Sequence, residues 1–454
     1  MIIFALIFLA GFTFIYLISK EFTFLEKASL AFPVGFGLAS FTMFKLDVIL
    51  HALSLASLQI SLALFILFCL AVVVVLHIKK IRLIDKPMLK IDLTWFNLPW
   101  AVFAGITAYL VWGISTKCLY WPPAEFDTIQ GYDLLSKAIA HEGKLANSIL
   151  TDKQIVKGCG PRLLYPPLLA FCNSICYMIG METPKLINTL FFVPWVFLFY
   201  ALLRRFVNSI NAIFFTFLMV ITPEMYAHGS FSLTNYPTAI YAATAVLSFL
   251  IWFEKRITGF LILSGFMMAF ALWTRADVVV VNGALLLAAL IVFYREKNWK
   301  SLLAFSLSLV VYFVWSSYSK AVIPKDATSF FVDHLFLDFD KLSQVLGTAW
   351  SVMSSSSTYG LTFWLFVIGL LINIKPIIQK DNWLFLIIIF VALGGYTLIY
   401  YQIKEDGSLF ANGGWMLSGY KRGLFVYAPL VLAYVSLSKN VRWLFDKIGS
   451  VLNG

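Results

Sequence analysis

Residues 165–180 read YPPLLAFCNSICYMIG, and whether that stretch crosses a membrane fixes the side on which every later loop lies. Its composition favours crossing. Its length does not, because about 20 apolar residues are needed to span a hydrocarbon core of roughly 30 Å. It also opens with Pro166-Pro167, which lack backbone donors and sit poorly inside a helix. The distribution of positive charge decides the matter, since Lys and Arg concentrate on the cytoplasmic side of membrane proteins. With 165–180 uncrossed and the N-terminus outside, Lys79/Lys80/Arg82, Arg204/Arg205, Lys255/Arg256, Arg295/Lys297/Lys300, Lys375/Lys380 and Lys439/Arg442 all fall inside. With it crossed, every later loop flips and Arg204/Arg205 emerge outside. The stretch therefore reads as a helix lying in, or re-entering, the external interface.

Outward from it, apolar runs suited to crossing occur at 1–18, 28–50, 55–77, 95–117, 185–203, 208–227, 236–253, 258–273, 277–294, 300–320, 360–374, 383–401 and 421–438. That makes about thirteen spans. Backbone groups in lipid must be satisfied internally, so these runs are helices, and the alternating pattern of a membrane barrel is absent. The 454 residues are 61% hydrophobic and 13% charged, with a mean hydropathy of +0.87; a soluble domain carries about 25% charged residues. The expected fold class is an all-α polytopic membrane protein. Met1–Ser19 lacks a basic leader and runs into Lys20 and Glu21, so it reads as the first span and not as a cleaved signal. The net charge of +11 is spread over helix ends. That suits positive-inside topology and contact with anionic membrane lipids, and it excludes nucleic acid as the natural partner.

This reading divides the chain into three N-terminal spans with a basic cytoplasmic loop (1–94, the loop at 78–94 holding Pro87), a membrane core (95–438) and a cytoplasmic tail (439–454). Two external segments are large, 118–184 and 321–359, and a third, 402–420, is rich in glycine. Polar substance is weighted to that side, so chemistry or recognition is expected there. Within 118–184, Ile129, Tyr132, Leu135 and Ile139 recur at helical spacing, which predicts an amphipathic surface helix over 128–144.

Five groups of residues there have chemical potential. Glu125 and Asp127 follow the stiff Trp121-Pro122-Pro123 turn; a carboxylate at an apolar boundary suits a general base, although a solvated loop acid is the plainer reading. Arg275 and Asp277 sit in a tight turn between two apolar runs, where the guanidinium either clamps a phosphate or ties the turn together. Lys421-Arg422 lies on the wrong side for the positive-inside trend, which suggests an anionic partner such as a lipid phosphate, unless Glu405 and Asp406 neutralise the pair. Glu224, His228, Asn235 and Tyr236 cluster in the loop after the sixth span, and Arg162 and Tyr165 flank the start of 165–180. A divalent cation held by Asp127 and Glu224 is a weaker option, and the five histidines show no zinc-type pairing. Cys118 and Cys159 share one external loop and leave a disulfide open as an option. Phosphate-binding glycine loops and the Gly-x-Ser-x-Gly elbow are absent.

In order along the chain, Glu125-Phe126-Asp127, Lys137-Ala138 with Gly143, Tyr165-Pro166-Pro167-Leu168-Leu169, Thr274-Arg275-Ala276-Asp277 and Gly419-Tyr420-Lys421-Arg422 resemble the GT-C superfamily. These are polytopic glycosyltransferases that use polyprenyl-linked sugars. The likeness covers about residues 95–438 and is nearest the bacterial branch akin to protein O-mannosyltransferases and the aminoarabinose transferase of lipid A. It implies Asp127 as catalytic base with Glu125 beside it, and Arg275, Lys421, Arg422 and Arg162 as binders of the donor phosphate. Tyr165, Glu224, His228, Asn235, Tyr236 and Asp277 would contact substrate. Where relatives often carry an acid before the seventh span this chain has Asn235, with Glu224 the nearest substitute.

The function this implies is inverting transfer of a sugar from a polyprenyl phosphate to a lipid, glycan or protein acceptor, at the periplasmic face of a bacterial inner membrane. A lipid or sugar transporter or flippase is the alternative from another class, and it predicts repeats and charged helices at mid-membrane. An O-antigen polymerase or ligase using a diphosphate donor is a third; its late loop normally holds Arg and His, whereas 321–359 has His334 and no Arg.

Overall fold

The protein is described by a computed structural model covering residues 2–51, 53–79, 98–159, 163–324, 338–379, 382–403, 409–410 and 414–453. Arg162, His334, Glu405, Asp406 and all of the basic loop beyond Lys79 lie outside the described residues. Among the described residues the chain is helical throughout. Eight helices are long and apolar enough to cross a membrane.

The first four are α1 (Ile2–Ile18), α2 (Phe24–Val48), α3 (Leu55–Ile78) and α4 (Leu98–Tyr120). The segment after α4 holds a π-helical turn (Thr128–Tyr132), α5 (Asp133–Glu142), α6 (Ser148–Thr151), α7 (Lys153–Cys159) and α8 (Leu168–Met178). There follow α9 (Leu186–Leu203), α10 (Ser209–Ile221), α11 (Pro223–His228), α12 (Asn235–Lys255), α13 (Thr258–Leu272), a 3-10 turn (Ala276–Val278) and α14 (Val279–Glu296). The last are α15 (Lys300–Val322), α16 (Phe339–Ser354), α17 (Thr362–Ile372), α18 (Ile374–Ile378), α19 (Trp383–Tyr401), a π turn (Trp415–Tyr420), α20 (Lys421–Gly423), α21 (Tyr427–Leu437) and α22 (Lys439–Asn453). Helices therefore stand in all thirteen predicted runs, though α1, α10, α13, α17 and α21 are each shorter than 18 residues.

Local chemistry sets the ends. Thr23 and Glu26 cap α2 reciprocally: the Thr23 Oγ1 accepts from the Glu26 N–H at 3.2 Å and the Glu26 Oε2 from the Thr23 N–H at 2.6 Å. Asp338 accepts from the N–H groups of Asp340 and Lys341, each at 3.0 Å, to start α16. Pro223 separates α10 from α11, so the predicted 208–227 run is two helices and not one. The predicted 421–438 run is likewise broken between Gly423 and Tyr427.

α12 is 94% buried and forms the axis of the bundle, whereas α4 and α15 are only 11% and 22% buried and make its outer wall. Enclosed over all but its last turn, α12 is a core helix; the outer helices present apolar surface where a membrane would lie. α2 belongs to the core: its Pro33 carbonyl accepts from the Tyr241 hydroxyl at 2.7 Å and its Ser40 Oγ from the Trp273 indole at 2.9 Å. α1 lies close against α2 because Gly11 and Gly35 are bare. A Cβ on Gly11 would stand 1.9 Å from the Ala31 carbonyl oxygen, and one on Gly35 2.1 Å from that of Ile7.

The bundle's two ends differ. At one end Lys255 reaches the Arg205 carbonyl, Arg256 pairs with Glu296 at 2.6 Å and Asn208 bonds Asp446 at 2.8 Å. This is the basic end. A buried ion pair at 2.5 Å between Arg205 and Glu26 fastens α9 to α2 there.

The structure sharpens two expectations for the 118–184 segment. The helix predicted over 128–144 buries Tyr132, Leu135 and Ile139 but leaves Ile129 exposed. Its first turn is π-helical, and that shifts the register of the apolar stripe. α8 is 11 residues long and buried from Leu168 through Cys176, so residues 165–180 pack inside protein, against α5 and α2. No disulfide joins Cys118 and Cys159; the Cys118 thiol points at the Gly229 carbonyl.

Candidate functional site

The Trp121-Pro122-Pro123 turn ends α4 and delivers Asp127 to the front of the π turn. There its carboxylate forms an ion pair with the Arg422 guanidinium, 295 positions later in the chain. Arg422 is held in turn: its Nε donates to the Ser418 carbonyl at 3.0 Å, and its own carbonyl accepts from the Asn235 amide at 3.0 Å. The neighbouring Lys421 pairs with Glu224 at 2.9 Å, and its carbonyl accepts from the Tyr359 hydroxyl. Two adjacent cations on one short helix thus hold acids from two separate elements. Glu405 and Asp406 are not needed to neutralise them.

The third pair is Arg275 with Asp277. The fork is bidentate, Nε to Oδ1 at 3.0 Å and Nη2 to Oδ2 at 2.5 Å, the geometry in which guanidinium and carboxylate match best. The guanidinium also lies over the Tyr165 ring, 5.0 Å from its centre. Tyr165 packs against Tyr132 at 5.9 Å, and the Tyr132 hydroxyl meets that of Thr234 at 3.3 Å. Burial pushes the Tyr132 phenol above its ordinary value, so it stays a neutral hydrogen-bonding group.

Asn235, Thr238, Arg275, Asp277, Tyr396 and Arg422 close around a cavity of about 10 Å³, room for about one water. Tyr396 stacks on Tyr420 at 5.3 Å and bonds the Tyr400 hydroxyl at 3.1 Å, which fixes the aromatic wall. Gly423 is bare for this reason: a Cβ there would stand 1.7 Å from the Tyr396 hydroxyl. The cavity is shut in this conformation, with Arg422 and Gly423 of α20 forming one wall.

His228 lies against Phe231 and Phe425 and donates from Nδ1 to the Glu224 carbonyl at 3.0 Å. Burial drives its pKa down to about 4, against the pull of Glu224. It is neutral near pH 7 and serves as a fixed donor. Tyr236 is a packing residue, bonded to the Met225 carbonyl at 2.8 Å and ringed by Phe192 and Phe425. Glu125 turns to the other side, where one of its carboxylate oxygens is buried without a hydrogen bond near the buried Lys185.

The structure therefore gathers Asp127, Arg275, Asp277, Asn235 and Arg422 at or beside one cavity, with Lys421, Glu224 and His228 on the far flank of α20 and Tyr165 beneath Arg275. It does not bring Glu125 or Tyr236 into it. Asp127 and Glu224 each face a cation, and among the described residues no three His, Cys, Asp or Glu side chains gather as ligands. Tyr132 was expected only as part of an apolar stripe, and Thr238, Tyr359, Tyr396 and Lys185 were not expected here at all. The tyrosine-rich run 396–401 (YTLIYY) is the one signal that could have pointed to Tyr396.

No family model matches the chain, and neither a curated protein nor a solved structure matches it.

Proposed function

We propose that the protein is a GT-C-like membrane glycosyltransferase of about thirteen spans, which moves a sugar from a polyprenyl phosphate to an acceptor hydroxyl or amine. The observation that carries this reading is the convergence of Asp127, Arg422 and the Arg275–Asp277 pair on one cavity from three distant parts of the chain. In the direction chosen by the positive-inside rule this end faces the periplasm, with the N-terminus outside and the C-terminus inside.

The resting ion pair determines how chemistry would start. Beside Arg422, Asp127 is a poor base. A donor phosphate competes for the same guanidinium, because phosphate and carboxylate share its bidentate geometry. Once Arg422 turns to the phosphate, the Asp127 carboxylate is free to take the acceptor's proton. The acceptor heteroatom then attacks the anomeric carbon, the bond from that carbon to the phosphate oxygen breaks, and the electron pair leaves on the polyprenyl phosphate. Arg422, Arg275 and Lys421 stabilise that departing charge. A single displacement inverts the anomeric centre.

Asp127→Asn keeps the shape and removes the base, so transfer of a labelled sugar from polyprenyl phosphate should fall by about 10²- to 10⁴-fold with expression and elution volume unchanged. A fully active Asp127→Asn protein would overturn the reading. Uptake of the labelled lipid or sugar into sealed vesicles, without covalent transfer, would point to a transporter instead.

A further inference from the structure

A groove of about 490 Å³ runs along the seam between α13 and α15, away from the ion-pair cluster. Small residues make its floor. Gly265 lies against Ala304, where an added Cβ would come within 3.3 Å, so the two backbones approach closely and larger side chains flank the gap. Leu303, Leu307 and Phe266 on those flanks are exposed, and the groove opens sideways onto the apolar outer wall of the bundle.

Its length and charge identify the occupant. The lining runs from Thr258 to Ala269 on α13 and from Lys300 to Val311 on α15. At 1.5 Å per residue each run is about 16 Å long, about half of a 30 Å hydrocarbon core, the depth of one leaflet. Phe41 closes the inner end, braced on Phe270 and Trp273 at 5.4 and 5.2 Å. At the mouth stand Lys300 and the exposed indole of Trp299, a cation and an aromatic ring of the kind that sit at headgroup level. No carboxylate pairs with Lys300 among the described residues, so its charge is open to an anion.

We propose that this groove binds an acyl chain of an anionic phospholipid from the leaflet at the basic end, with the head group on Lys300. The whole protein, purified in mild detergent, is equilibrated with equal amounts of phosphatidylglycerol and phosphatidylcholine, and bound lipid is counted by native mass spectrometry. Wild type should retain phosphatidylglycerol in preference. Lys300→Gln should lower that preference about fivefold, the worth of one basic residue near an anionic surface. Leu307→Trp fills the open side from an exposed position and should lower the occupancy of both lipids, with the protein still monodisperse. Lys320→Gln, at the opposite end of α15, should change neither. Equal retention of the two lipids by wild type, an unchanged preference in Lys300→Gln, or unchanged occupancy in Leu307→Trp would each overturn the proposal.

Discussion

At the scale of single residues, His228 shows how burial, helped by two nearby cations, fixes a protonation state. Glu224, Lys421 and Arg422 surround it, yet loss of water outweighs the carboxylate and takes the imidazole down to about 4. In the unfolded chain the ring titrates near 6.5, so the unfolded state binds the proton first as pH falls. Stability is therefore complete above about pH 6.5 and is lost as pH drops toward 4, by at most about 3 kcal/mol. Melting curves of the purified protein across that interval should show the loss, and His228→Gln should flatten it. The candidate acids and bases themselves were legible in the sequence, because charge beside long apolar runs is conspicuous. Their partners were not. Asp127 meets Arg422 and Glu224 meets Lys421 only through the tertiary path of the chain, and local spacing suggested Glu405 and Asp406 instead. Tyrosines such as Tyr359 and Tyr396 read as ordinary apolar filling until their hydroxyls find carbonyls and each other.

At the scale of the element, helix positions followed from apolar length, while helix integrity did not. Periodicity cannot distinguish one long helix from two short ones joined at Thr222-Pro223, or see the break that separates α20 from α21. Nor does it show that the 165–180 stretch is enclosed by protein, since a buried core helix and a lipid-facing one are equally apolar. The close pairing of α1 and α2 is a stronger constraint than either helix's composition. Gly35→Leu would drive a side chain into the Ile7 carbonyl, which cannot yield as a flexible side chain does. The helices must part, at a cost above the 1–3 kcal/mol usual for overpacking. A fall in monodisperse yield and in melting temperature, with Gly283→Leu (where a Cβ meets nothing within 4 Å) close to wild type, is the expected outcome.

For the molecule as a whole, the helical class and the asymmetry of its two ends were readable from composition and the placement of Lys and Arg. The layering, with α12 at the axis and α2 drawn into the core, depended on packing that hydropathy does not encode. If the basic end faces the cytoplasm, a fluorescent protein fused after α22 should fluoresce and a periplasmic phosphatase fused there should be inactive; the reverse pattern would invert the proposed orientation. The pairing of Asp127 and Glu224 with Arg422 and Lys421 also bears on how the protein is made. Synthesis proceeds from the N-terminus, so both acids are made long before their cations. A charge left uncompensated among apolar helices is unfavourable, and the nascent protein carries it until α20 leaves the ribosome. One late tripeptide, Lys421-Arg422-Gly423, then discharges both liabilities together. A chain cut short of it keeps both carboxylates without these two partners.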